Sequence, residues 1–418
     1  MSDKPLDQYH FLKLGEDTLK DPYPFFARLR REAPVFKEPD YGVYLVTRYD
    51  DVTKVARTPD IYSAIVNAGG PYLPVPVSSV DEIDAYHQDP ATEKLFTNDP
   101  PFHGRYRTLM ARFISPKRLH ALGGKVQQRG EELIANFVEK GEVDWVKEFA
   151  NVLPILMIGE LFELPKSVTE QFLPLFQETV DNMDVSYIAN PNGSFVGPAH
   201  AEAIEAFFEE ELTRRRKSPG DDLLSEIATA RFSDGAEVPM KDIKSLCAFA
   251  YSAGGDANTP MMMTSGAKIL AENPDIADFL RKNPDRLSDF VEETLRWETP
   301  ALGQFRLVRS DTELAGVKIP KGSMVMMMNA SGNRDETRFE DPETFKLDRP
   351  MRRLLSFSQG PHTCLGAPFA RIEGRVVFGM MLDRFKRIEV SPSQGEFRYL
   401  PSSLLRSVRE LKLRFEPA

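Results

Sequence analysis

Ten residues near the C-terminus constrain this chain most: Phe357-Ser358-Gln359-Gly360-Pro361-His362-Thr363-Cys364-Leu365-Gly366. From Ala367 to Leu382 apolar residues follow at helical spacing (Phe369, Ile372, Val376, Met380), so the loop delivers Cys364 to the first turn of a helix. Unpaired N–H groups and the positive end of the helix dipole at such a turn stabilise a sulfur anion. Gly360 and Gly366 remove β-carbons where the backbone turns sharply or lies flat against a large planar ligand. Phe357 would cover the sulfur and exclude water, and His362 would donate to an acid group on the ligand.

Three readings compete for this cysteine. A buried structural thiol is the ordinary one for a lone cysteine. A nucleophile needs a histidine held as its base. A metal ligand needs further Cys and His nearby, or a metal carried by an organic ring. The chain has only Cys247 and Cys364, so no thiolate cluster forms, and the metal site open to one cysteine is an axial thiolate on haem iron. Cys247 lies in an apolar helical pattern and reads as a buried thiol.

The loop resembles the haem-binding signature of the cytochrome P-450 superfamily, F-x-x-G-x-H-x-C-x-G, and fills each of its fixed positions. The resemblance implies a mainly α, triangular helical fold with a small β-rich side. It also implies haem b as cofactor, with Cys364 as the iron ligand and Phe357 and Gly366 lining the loop beneath the ring. Further segments follow in the family's order. Glu293 and Arg296 stand three apart on one helix face; in the family such a pair is buried and takes a third member, here Arg349. Pro101 starts a helix on which His103 and Arg107 are one turn apart, suited to a carboxylate. By resemblance, His103, Arg107, Arg306 and His362 bind the haem propionates.

Composition agrees. Two cysteines in 418 residues argue against a disulfide-built secreted protein and fit a reducing cytoplasm. Met1 to Lys20 carries no apolar run, so neither a signal peptide nor a membrane anchor is expected. A formal net charge of −10 disfavours a nucleic-acid partner. No repeat or linker divides the chain, and one domain over residues 1–418 is expected. Helical patterns dominate, with short strands expected at 35–37, 44–46, 305–307, 312–314, 317–319 and 323–329. The methionine runs at 261–263 and 324–328 read as soft core filling.

The pattern from Met240 to Asn273 reads as one long helix interrupted by Gly254 and Gly255, with a kink expected where Pro260 removes a backbone bond. Asp256 is an isolated acid in that apolar run and a candidate for proton delivery. Ala253-Gly254-Gly255-Asp256 matches the first half of the family's A/G-G-x-D/E-T-T element. The second half departs: Ala257 stands where most members carry the threonine that bonds iron-bound dioxygen, and Asn258 and Thr259 follow. Three outcomes are open: a substrate hydroxyl replaces the missing one, Asn258 or Thr259 holds the relay water, or peroxide is leaked or used.

The implied reaction is insertion of one atom of O2 into a medium-sized hydrophobic substrate, by hydroxylation or demethylation. Candidate substrate walls are Tyr72, Leu73, Phe195, Phe249, Ala253, Leu302, Phe305 and Leu404, most of them apolar. No flavin or iron–sulfur motif is present, so electrons are expected from an external ferredoxin and its reductase, docking on a basic patch of Arg105, Arg112, Arg371 and Arg375. The alternatives are a peroxide-using haem-thiolate enzyme and a haem-thiolate binding protein without turnover.

Overall fold

The computed structural model describes residues 4–67, 69–89, 95–181, 198–255, 258–350 and 353–418. Helices predominate. Those that frame the site are α1 (Tyr23–Glu32), α2 (Tyr49–Arg57), α3 (Phe102–Phe113), α4 (Leu153–Leu161), α5 (Met240–Gly255), α6 (Asn258–Glu272), α7 (Leu287–Trp297) and α8 (Ala367–Arg384). The strands are β1 (Val35–Lys37), β2 (Tyr44–Val46), β3 (Tyr62–Ser63), β4 (Glu142–Asp144), β5 (Gln304–Val308), β6 (Thr312–Leu314), β7 (Val317–Ile319), β8 (Met324–Met327), β9 (Phe385–Val390) and β10 (Lys412–Pro417).

Five strands form one sheet in the order β1-β2-β8-β5-β3, in which β2 and β8 run parallel and the other neighbours antiparallel. Side chains alternate across it. Leu45, Phe305, Leu307 and Met326 belong to one apolar cluster, and Val46, Val308, Val325 and Met327 to another. Arg306, between Phe305 and Leu307, therefore leaves the sheet on the face opposite theirs. Met326 and Met327 of β8 are wholly buried and Met324 half-buried, as the soft-filling reading expects.

Helix α8 is the axis of the helical part. Its Gly374 meets Met262 of α6 and Val291 of α7, and its Phe378 lies edge-on to Phe290 of α7 with ring centroids 5.0 Å apart. Gly266 of α6 sits under the same Phe378; a β-carbon there would come within 2.1 Å of the ring. Close packing of this kind fixes where α8 begins, and hence where Cys364 stands.

The structure adds strands that the sequence reading did not expect: β3, and β4, β9 and β10. Within the pattern from Met240 to Asn273 the described residues form α5 and α6, and residues 256–257 between them lie outside the described residues. A three-stranded sheet, β4-β10-β9, had no counterpart in the sequence reading, because β9 follows α8 without an intervening breaker.

Candidate functional site

The loop before α8 is closed by one backbone bond, from the N–H of Cys364 to the carbonyl of Phe357 at 2.9 Å. Cys364 is exposed to a water-sized probe, yet burial is the first cause raising its pKa. A group that is both accessible and enclosed faces an internal recess. The N–H groups of Gly366 and Ala367 oppose that rise, followed by the charges of Arg107 and Arg371, so the anion is favoured by the helix start as the sequence implied. Phe357 is half-buried under the guanidinium of Arg371, 4.5 Å from its ring centroid.

The two loop glycines serve different ends. Gly360 has φ +69°, and a β-carbon on it would lie 2.2 Å from the carbonyl oxygen of Ala56. The left-handed turn and the contact with α2 both require glycine there, in keeping with the sharp turn the sequence offered as one reason for it. Gly366 has φ −78°, and the nearest atom to a β-carbon there would be the sulfur of Cys364 at 3.8 Å.

Above the loop, α3 carries His103 and Arg107. Asp99 precedes it, and its buried carboxylate accepts from the N–H of Ala64 at 2.8 Å, from Nε2 of His87 at 3.0 Å and from the Ser63 hydroxyl. Its backbone carbonyl takes the N–H of His103 at 2.9 Å. His103 and His362 bring their ring centroids to 4.2 Å. Arg107 donates to the carbonyl of Thr363, and Nη1 of Arg306 donates to Asn67 at 2.9 Å and to the Phe305 carbonyl at 2.7 Å. His103 Nε2, His362 Nε2 and Arg306 Nη2 are buried with no hydrogen-bond partner.

Electrostatics tell the same story. Burial first, then Arg107 and Arg306, holds His103 down to about 4, with Asp99 opposing. Burial, Arg306, His103 and Arg107 hold His362 well below its ordinary value. Burial pushes Arg306 down to about 10, and burial lowers Arg107 too. The Asp99 oxygens are already engaged, so these groups crowd one place without a nearby anion to accept from them. Such a set fits the carboxylates of a planar acidic ligand lying over the Cys364 loop.

The second arginine cluster lies on the α7 side. Glu293 takes both Arg296 donors at 2.7 Å and Nε of Arg349 at 3.2 Å, all buried, as expected. Carbonyls of Asn333, Pro342 and Thr344 accept the remaining Arg296 bonds.

Asp256, Ala257 and Phe195 lie outside the described residues. Gly254 and Gly255 lie against Ile158 and Ile155 of α4, a packing reason for both glycines. Ala253 and Asn258 are exposed, whereas Thr259 is 9% exposed. Phe249 is half-buried and faces Phe96, ring centroids 5.6 Å apart; Phe96 had no periodic signal in its loop. Leu302, Phe305 and Leu404 join Met261 in the cluster beneath the sheet, and the N–H of Leu302 donates to the Leu404 carbonyl at 2.7 Å. Phe305 is fully buried against Gly70 and Tyr72. The Tyr72 hydroxyl is engaged by the Leu12 carbonyl and Ser403, both at 2.7 Å, so it ties three segments together; Leu73 folds back on Gly69. His87, Asp99, Asn67 and Phe96 were not foreseen, and only the Asp99-Pro100-Pro101 string gave a local cue.

A family model for cytochrome P-450 matches residues 199–415. Cytochrome P-450 144 of Mycobacterium tuberculosis is 32% identical over 400 residues, covering 96% of this chain and 90% of that protein. The chain belongs to the cytochrome P-450 family. Another relative, 6-deoxyerythronolide B hydroxylase of Saccharopolyspora erythraea, is 30% identical over 95% of this chain and 96% of its own. Among solved structures, the substrate-free cytochrome P-450 CYP150A6 of Mycobacterium marinum superposes with a TM-score of 0.89 at 31% identity, covering 99% of this chain and 100% of that one. The mainly helical fold with its small β side is the cytochrome P-450 fold, and the chain is a monooxygenase of that family. Haem-thiolate chemistry comes with the family. No helix among the described residues is long and apolar enough to cross a membrane.

Proposed function

We propose that this protein is a haem b monooxygenase that inserts one oxygen atom of O2 into a medium-sized hydrophobic substrate, by hydroxylation or demethylation, with Cys364 as the iron ligand. One observation carries the reading: three buried unpartnered polar atoms, on His103, His362 and Arg306, gather beside an accessible but enclosed sulfur. His103, Arg107, Arg306 and His362 would hold the two propionates, with Phe357 and Gly366 against the ring. When bound, haem with a thiolate ligand supplies reductive activation of dioxygen and an oxidant able to attack a C–H bond.

The chain's own residues orient and protonate. Asp256 is assigned the proton supply. Between Asn258 and Thr259, Asn258 is assigned the relay water, because it is exposed, as Ala253 is, while Thr259 is buried. Phe249, Phe96, Ala253 and Leu404 would form the substrate wall, with Leu302 and Phe305 supporting it from the sheet. A relative named as a 6-deoxyerythronolide B hydroxylase supports hydroxylation as the reaction.

Electrons would come from a ferredoxin and its reductase in the cytoplasm, with residues 1–418 acting as one catalytic unit. Of the docking candidates, Arg105 pairs with Asp234 at 2.8 Å and Arg371 with Glu292 at 3.1 Å. Arg112 and Arg375 are exposed and have no carboxylate within ion-pair distance among the described residues, which makes them the stronger candidates.

The test is the absorption spectrum of the reduced protein under carbon monoxide. The native protein is expected to show the Soret shift of a thiolate-bound haem, and Cys364→Ser to lose it. Identical spectra, or a native protein that takes up no haem, would overturn the assignment.

A further inference from the structure

A second recess lies along α6, on a face distinct from the one that Met262 and Gly266 turn toward α8. Thr264 and Ser265 lie at its buried end, Lys268 and Ile269 one turn on, and Glu272 and Asn273 at its exposed end. Eight residue-to-residue steps of helix, from Thr264 to Glu272, make it roughly 12 Å long, and its volume is about 250 Å³. Trp297, Phe345 and Tyr399 supply aromatic walls.

The charges along this slot are closed on one another. Lys268 pairs with Glu272 at 2.7 Å, and Glu298 accepts from Arg406 at 3.1 Å and from the Tyr23 hydroxyl at 3.3 Å. Trp297 and Tyr399 each carry a guanidinium, Arg334 at 3.9 Å and Arg406 at 4.0 Å from the ring centroid, and neither arginine lines the slot. These stacks hold the rings as fixed walls. At the buried end, Thr264 and Ser265 are 2% and 8% exposed, and their hydroxyls bond to no other described residue. Their oxygens are not among the buried unpartnered atoms and so open onto the slot.

We propose that this slot is a binding site for a small uncharged aromatic molecule bearing a hydrogen-bonding group, of the phenol or indole class. The aromatic walls take its ring, the paired charges offer a net-charged ligand nothing, and Thr264 and Ser265 take its polar group. The site lies on the helix that begins with Asn258 and Thr259, yet it is separate from the walls assigned to the substrate.

The experiment titrates 4-fluorophenol and 5-fluoroindole into the haem-loaded protein and follows fluorine NMR. Saturable binding is expected. Ser265→Phe, which fills the buried end, is expected to weaken it more than tenfold, and Thr264→Val, which keeps the shape but removes a hydroxyl, about threefold to tenfold. Phe249→Trp, which crowds the opposite pocket, is expected to leave slot binding in place. The proposal is overturned by an absence of saturable binding near about 1 mM, by unchanged affinity in both slot variants, or by binding that Phe249→Trp abolishes and Ser265→Phe does not. Thr264→Val guards against a folding defect, since it exchanges one methyl-sized group for another.

Discussion

Two buried cationic clusters sit in this molecule and meet the same physical demand in opposite ways. Around Glu293, every guanidinium is answered from within: the carboxylate bridges Arg296 and Arg349, and loop carbonyls of residues 340, 341 and 344 accept further Arg349 donors. Around His103, Arg107, Arg306 and His362, the groups press on one another and leave buried nitrogens unpaired. Burying a charge costs several kcal/mol unless it is paired. The first cluster is therefore part of the scaffold, and the second has the form of one half of an interface with an acidic ligand.

The comparison breaks most sharply at Glu293. Glu293→Gln leaves two buried guanidinium groups without their carboxylate, and a loss of about 3–5 kcal/mol is expected whether or not haem is bound. Chemical denaturation of both forms measures it. A difference between the two forms would mean that the α7 cluster also belongs to the site.

His103 supplies the next effect, readable in the haem-depleted protein. Its folded pKa of about 4 lies below the ordinary 6.5, so between those values the unfolded chain binds more protons than the folded one. Stability then rises with pH from 4 to 6.5 and is lost as pH falls through that window, by up to about 3 kcal/mol. His103→Gln is expected to flatten the slope. Haem loading is expected to flatten it too, because an anion beside His103 lifts its folded pKa; an unchanged slope on loading would place the propionates elsewhere.

Arg306→Met sets the two clusters against each other by sign. Removing an incompletely paired buried cation is expected to stabilise the haem-depleted protein by about 1 kcal/mol. The loaded protein is expected to release haem about tenfold faster, the worth of a charge-assisted hydrogen bond. Denaturation of one form and haem transfer from the other give the two numbers. Destabilisation of both forms would make Arg306 scaffold, like Arg296.

The i, i+3 spacing of Glu293 and Arg296 showed that they could pair, but their burial and the third member Arg349 were legible only through the family's E-x-x-R element. The site cluster was legible residue by residue only through the family pattern, since His103, Arg306 and His362 come from a helix, a strand and a loop that periodicity does not relate. Its support was not legible at all. Asp99 meets His87 across a loop, and Asn67 meets Arg306 across 239 positions of chain, contacts that only the fold creates. The sharp turn at Gly360 was legible, but its close neighbour, the Ala56 carbonyl, was not, because it belongs to a helix distant in sequence. Pro260 lies within α6, and sequence offered no means of choosing between Asn258 and Thr259; the proposed assignment rests on their difference in burial.

That choice predicts a smaller effect on the loaded enzyme. Asn258→Ala is expected to lower product formed per reduced nicotinamide about threefold, and Thr259→Val to change it by less than about twofold, on the scale of one hydrogen-bond partner. Ala257→Thr is expected to raise it. Equal losses at 258 and 259 would return the relay water to either residue.

The smallest expected effect is on electron delivery, and it separates cations that are answered from those that are not, this time at the surface. Arg112→Glu is expected to slow reduction by a ferredoxin about twofold at low salt, with the difference fading as screening shortens the reach of the charge. Arg371 offers less to a partner, since Glu292 already holds it and its guanidinium covers Phe357. Arg371→Glu should instead disturb the thiolate loop and shift the haem spectrum, with little added dependence on salt. If Arg371→Glu showed the steeper salt dependence, the pairing with Glu292 would not decide which arginine meets the donor, and the ferredoxin would dock closer to Cys364 than Arg112 allows.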